Sequence, residues 1–186
     1  MNRPNTRASL VVPVTAGDHT SGPDHAPVTV VEYGDYECPI CVAHEPAFRQ
    51  LRQVHGAALR FVYRHFPIED VHPHALMAAE AAEAAGAQGK FWPMHARLLA
   101  PGRQLDRASL NHHAEQLGLD MARFDAELND EIYRQRIREH VAGALGSHVR
   151  ATPGVFVNGV VQDVSRGMHD LFERVAAELA DRADRR

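Results

Sequence analysis

The stretch Val28-Thr29-Val30-Val31-Glu32-Tyr33-Gly34-Asp35-Tyr36-Glu37-Cys38-Pro39-Ile40-Cys41 decides how the chain is read. Its first six residues are rich in β-branched side chains and nearly continuous in hydrophobicity, the pattern of a strand buried on both faces of a sheet. Glu32 is the exception: it either faces water from an edge strand or is buried for a reason. Gly34 to Glu37 reads as a short turn, and a helix is predicted from Pro39 to about Val54, with Ala47, Phe48, Leu51 and Val54 as its apolar stripe. Proline is tolerated at the first helical position, where its missing N–H has no intrahelical partner to lose, so Cys38 falls at or near the N-cap. Pro46, inside the helix, is expected to kink it.

Upstream, residues 1–27 hold four of the eleven prolines and no sustained periodicity, and are read as an irregular N-terminal arm. Downstream, Leu59-Arg60-Phe61-Val62-Tyr63 is a second strand, which completes a β-α-β unit over residues 28–73 with the two strands expected to be parallel. Residues 74–147 read as an inserted helical subdomain. It comprises an alanine-rich segment through Ala87, Phe91 to Leu99, Arg107 to Leu117 closed by Gly118, a helix capped by Asp120 that presents Met121, Phe124 and Leu128, and a last one presenting Tyr133, Ile137, Val141 and Leu145. Within residues 148–186, Val155-Phe156-Val157, Asn158-Gly159 and Val160-Val161 form a β-hairpin with a type I′ turn, followed by a helix from about Asp170 to Ala180. The fold class is therefore α/β, a mixed sheet flanked by helices with a helical insertion.

The chain has 186 residues, 45% hydrophobic and 24% charged, with a formal charge of −4. That is ordinary globular usage, large enough to bury a core without disulfide staples. No basic field exists to draw in nucleic acid. No apolar run approaches the roughly 18 residues that span a bilayer, and Leu10 to Val14 is too short for a secretory core, so a cytoplasmic protein is expected if Met1 is the natural start. Two cysteines in a reducing compartment are not expected to be a structural bridge.

Their spacing suits exchange chemistry instead. Two cysteines three residues apart at a helix start can close a disulfide. A thiolate at Cys38 would face the exposed N–H groups of the first helical turn, whose partial positive charge lowers the thiol pKa from its free value of about 8.5. Cys41, one turn inside and less exposed, is placed to attack a mixed disulfide at Cys38 and release the partner. Cys38 is the expected nucleophile and Cys41 the resolver.

The segment Val30 to Cys41, together with Phe91-Trp92 and Thr152-Pro153-Gly154-Val155-Phe156-Val157-Asn158-Gly159, resembles the DsbA-like thiol:disulfide oxidoreductases of the thioredoxin superfamily, over roughly residues 17–180. The resemblance implies a thioredoxin fold whose final hairpin is preceded by a helical block. It implies that Thr152-Pro153 carries a cis bond facing the active disulfide and receives a substrate chain as an added strand. It also implies that Glu32, six positions before Cys38, is a buried acid that relays a proton to or from Cys41. Pro46 matches the proline that kinks the active-site helix. Strongly oxidising members have histidine before the second cysteine. Here Ile40 stands there beside Pro39, which implies a less stabilised thiolate and a more moderate potential. No bound cofactor or metal is expected, and the partners implied are protein or small-molecule thiols and a redox partner.

Other readings of the same residues carry different chemistry. A cytosolic metal-binding sensor or chaperone would use Cys38, Cys41 and His44 with a further ligand such as His65. A cysteine hydrolase would pair Cys38 with a histidine but leave Cys41 without a role. Covalent haem attachment would need histidine directly after Cys41, where Val42 stands. The thirteen histidines, His72-Pro73-His74 and His112-His113 among them, receive no function from spacing alone, and Phe91 and Trp92 are read as packing.

Overall fold

Two runs of β-branched and aromatic residues become neighbouring strands in the computed structural model, which describes residues 9–183. Among the described residues a five-stranded sheet contains β1 (His19–Ser21), β2 (Val28–Gly34), β3 (Leu59–His65), β4 (Gly154–Val157) and β5 (Val160–Gln162), in the order β1-β3-β2-β4-β5. β2 is buried throughout except at Thr29, as a hydrophobic run flanked by neighbours on both sides should be. The Phe66 N–H, just past β3, donates to the carbonyl of Gly34, the last residue of β2, at 2.8 Å; the two strands thus end side by side and run the same way. On its other side β2 pairs antiparallel with β4, Val31 opposite Phe156 and Glu32 opposite Val155.

The hairpin β4-β5 turns at Asn158 and Gly159, both with positive φ (47° and 79°), which a type I′ turn demands at its two central residues. Asn158 does more than turn. Its side chain accepts from Thr29 N–H at 2.9 Å and donates to Glu178 at 2.9 Å, so the turn is tied to β2 and to the last helix, α7 (His169–Ala183).

The sequence reading is corrected at two places. His19–Ser21, assigned to an irregular arm, pairs antiparallel with β3, His19 opposite Tyr63. Three polar residues carry no hydrophobic alternation, so only the partner strand reveals them. Gly22 follows with φ at +99°, and a Cβ there would sit 2.0 Å from the Leu59 carbonyl oxygen, so glycine is required for this close approach. Residues 1–8 of that arm lie outside the described residues. Second, β3 runs on through Arg64 and His65, two buried polar residues that hydrophobicity would exclude.

Arg64 is buried because its five N–H donors meet five acceptors. Nε and Nη2 hold the buried Asp18 carboxylate bidentately at 2.7 and 3.0 Å, Nη1 reaches the Val12 carbonyl and Tyr33 hydroxyl, and Nη2 reaches the Pro13 carbonyl, each at 2.9 Å. This guanidinium fixes the segment ahead of β1. That segment continues along the far edge of the sheet, where Ser9 bridges Val160 and Leu10 N–H donates to Gly159.

The first helix, α1 (Pro39–His55), contains Pro46. The helical block comprises α2 (Ala75–Ala87), α3 (Phe91–Leu98), α4 (Arg107–Gln116), α5 (Met121–Asn129) and α6 (Arg134–Gly146). Asp106 and Asp120 cap α4 and α5 by accepting from the N–H groups three residues on. α2 packs against α3, α4 and α5 through fully buried Ala78, Ala81, Ala82 and Ala85, small enough to let helices approach closely. The chain forms two compact units. One holds the sheet: the described residues up to Tyr33, Pro46–Arg64, and those from Ala142 on. The other holds Gly34–Glu45 and His65–Val141, so the cysteines belong with the helical block.

Replacing Arg64 by alanine would leave the Asp18 carboxylate buried without its guanidinium. The expected loss is about 3–5 kcal/mol of stability, read from chemical denaturation; a loss below about 1 kcal/mol would show that water or another donor takes its place.

Candidate active site

The turn from β2 into α1 is anchored at every residue. The Gly34 carbonyl accepts from Phe66. Asp35, buried, accepts at 2.8 Å from the N–H groups of Glu37 and Ile68 and meets His72 Nδ1 at the same distance, while its carbonyl accepts from Cys38 N–H at 3.2 Å. The Tyr36 carbonyl receives both Nε and Nη2 of Arg103, and its hydroxyl lies 3.2 Å from His95 Nδ1. Glu37 accepts from the His74 N–H at 2.7 Å and meets His74 Nδ1 at 3.0 Å.

Cys38 follows. Its carbonyl accepts from Val42 N–H at 3.2 Å, the first bond of α1, which makes it the N-cap residue. Both cysteines are buried. Cys38 keeps 5% of its surface exposed, Cys41 none, and Ile40 between them is half-exposed beside exposed Pro39. A reagent from solvent meets Cys38 first.

The electrostatics around this turn are set by carboxylates and imidazoles. Burial acts to raise the Glu37 carboxyl, but the hydrogen bonds from the His74 side chain and backbone outweigh it and hold the group below its ordinary value. The stability this supplies is present above the ordinary carboxylate range and is lost as pH falls through the depressed value. His44 is pushed below the usual imidazole range by burial, with the Cys38 thiolate pulling the other way.

Two residues packed near this turn escaped sequence reasoning. Glu45 is buried four residues after Cys41, on the same face of α1, and its carboxylate lies 3.6 Å from His95 Nε2. His95 therefore stands between Glu45 and the Tyr36 hydroxyl, with Phe91 stacked against its ring. The i, i+4 spacing from Cys41 was the available signal for Glu45; nothing local marked His95.

Cys38, Pro39, Ile40 and Cys41 share the helical unit. Glu32, Thr152 and Pro153 share the sheet unit, where Glu32 is fully buried opposite Val155, two residues past Pro153. The Thr152–Pro153 bond is cis.

The metal set Cys38, Cys41, His44 and His65 is not brought together. Among the described residues the convergent group is His65, Glu83 and His140, whose candidate ligand atoms lie within 4.8 Å of one another. Its hydrogen bonds argue against a cation. His140 Nδ1 accepts the His65 backbone N–H at 3.2 Å, which in a neutral ring puts the proton on Nε2, and Glu83 Oε1 is 2.9 Å from both His65 Nε2 and Arg136 Nε. The Arg136 guanidinium already holds the Glu83 oxygen that faces His65.

Comparison with known proteins gives the class. A model of the Thioredoxin family matches residues 14–175. The structure resembles oxidised BdbD from Bacillus subtilis at a TM-score of 0.82 and 23% identity, covering 95% of this chain and all of that one. It also resembles the thiol-disulfide exchange protein alpha-DsbA2 from Wolbachia pipientis, TM-score 0.73 and 21% identity over 86% of each chain. In sequence it is 54% identical over 172 residues to a Na(+)/H(+) antiporter NhaA 1 of Salinispora arenicola, which covers 92% of this chain and 26% of that relative. The chain spans about a quarter of the length of the curated relatives it matches. Among the described residues no helix is long and apolar enough to cross a membrane. The chain belongs to the thioredoxin family.

With Glu83 committed to Arg136, zinc added in equimolar amount is expected to leave the melting temperature unchanged and to give no heat in titration calorimetry. Stoichiometric uptake lost in a His140→Ala variant would restore the metal reading.

Proposed function

We propose that the chain is a thiol:disulfide oxidoreductase working through Cys38 and Cys41. The observation that carries this is their placement: Cys38 caps the helix with 5% of its surface exposed, and Cys41 lies one turn deeper with none. The Cys38 thiolate attacks a substrate disulfide, forming a mixed disulfide and expelling one substrate thiolate. Cys41 then loses its proton and attacks the Cys38 sulfur, expelling the second thiolate. The protein ends oxidised and the substrate reduced, and the reverse sequence transfers the disulfide outward. In a reducing compartment the traffic runs towards substrate reduction, in an oxidising one towards disulfide formation.

Glu32 is assigned the proton exchanged with Cys41, a role its burial on β2 supports. Thr152 and Pro153, immediately ahead of β4, are assigned to docking an extended substrate segment. Protein or small-molecule thiols and disulfides are the substrates, with no bound cofactor. Ile40 in place of a cationic neighbour supports a potential between about −270 mV and about −120 mV, the values of thioredoxin and of the strong periplasmic oxidant.

Reduction of insulin disulfides is the test. Wild type should turn over, Cys38→Ser should be dead, Cys41→Ala should accumulate a mixed disulfide, and Glu32→Gln should slow turnover by about tenfold or more. A Cys38→Ser protein as active as wild type would overturn the reading, and equilibration with glutathione at a potential near about −120 mV would overturn the assignment made for Ile40.

A further inference from the structure

The motif His72-Pro73-His74 acquires a place in the structure that its spacing did not suggest. Both imidazoles point Nδ1 at a carboxylate on the short turn that delivers Cys38: His72 at Asp35, 2.8 Å, and His74 at Glu37, 3.0 Å. Asp35 and Glu37 stand three and one residues before the sulfur. Two like charges that near oppose a thiolate, the more so where Asp35 is shielded from water. Donors offset them: the Glu37 and Ile68 N–H groups with His72 at Asp35, the His74 N–H and ring at Glu37. Pro73 fixes φ between the two rings and leaves them on one segment that ends where α2 begins.

We propose that His72 and His74 are positioning residues of the thiol site: by donating from Nδ1 to Asp35 and Glu37 they hold the turn before Cys38 and offset the two carboxylates that would otherwise disfavour its thiolate. A proton on Nδ1 serves this end both in the neutral Nδ1–H tautomer and in the imidazolium, which also cancels the carboxylate charge. The other charged or titratable groups facing the turn are Arg103 on the Tyr36 carbonyl, His95 with Glu45 and His65 with Glu83 about the Tyr36 ring, and His44 on α1. None of these contacts Asp35 or Glu37 in the way the two histidines do.

The inference rests on Cys38 being the nucleophile, and its test reads the Cys38 sulfur without requiring turnover. In a Cys41→Ala background, the rate of iodoacetamide alkylation against pH gives the midpoint at which Cys38 ionises. His74→Ala, at a half-exposed site where folding is not at stake, should raise that midpoint and slow alkylation below it by about three- to tenfold. Adding Glu37→Gln removes the charge that His74 offset and should return the midpoint to the parent's value or below. His72→Ala should act in the same direction, and His72→Asn, whose amide N–H can take the place of Nδ1–H, should recover most of the rate. A protein merely loosened by these changes would show a lower melting temperature with an unmoved midpoint. Unmoved midpoints in the alanine variants, or no recovery with Glu37→Gln, overturn the proposal while leaving the exchange function standing. A parent midpoint near about 8.5, that of a free thiol, overturns both.

Discussion

A buried carboxylate organises the site. Asp35 is shut off from solvent, and an ionised side chain in that position persists only when donors surround it. Three do, from three different residues: the N–H of Glu37, the N–H of Ile68 and the ring of His72. Because one donor is local and two come from the segment after β3, the carboxylate joins two loops that sequence separates by about thirty residues. The Asp35 carbonyl then takes the Cys38 N–H, which sets where the helix starts and thus where the reactive sulfur sits. Helix geometry is only as useful as the residue at its mouth, and Asp35 determines that residue.

The same tactic recurs in the sheet. Arg64 would be a poor strand residue by hydrophobicity, yet its fork converts Asp18, Tyr33 and two carbonyls of the N-terminal segment into one satisfied cluster. Buried polar groups of this kind contribute little net stability compared with an apolar replacement, but removing one partner is costly, so they specify one arrangement of the loops around them. In both places a charged side chain fixes a segment that has too few apolar residues to fix itself.

What the sequence made legible follows from these facts. β2, the hairpin and the start of α1 were visible because each rests on local chemistry: β-branched continuity, an Asn-Gly pair needing positive φ, and a proline at the first helical position. The cysteine pair was visible for the same reason. β1 was not, since His19, Thr20 and Ser21 become a strand only through pairing with β3. The end of β3 was not, since Arg64 and His65 are tolerated only by partners distant in sequence. Glu45 and His95 are likewise a tertiary pair, their approach of 3.6 Å set by the packing of α3 near α1 within the helical unit. Buried polar residues are where local patterns misread the chain, because their partners are non-local.

The helical block, finally, is no removable ornament. Gly34–Glu45 belongs to the same compact unit as His65–Val141, and the groups that fasten the cysteine turn, Ile68, His72, His74, His95 and Arg103, all come from that stretch. Trimming away α2 to α6 would take His95 and Arg103 from the turn and leave its remaining fastenings, Ile68, His72 and His74, on a loop cut off from the unit it belongs to, while the cysteine motif itself stayed intact. The outer helices can thus be redesigned freely only where those anchor points are kept, and a miniaturised version would have to reinvent them.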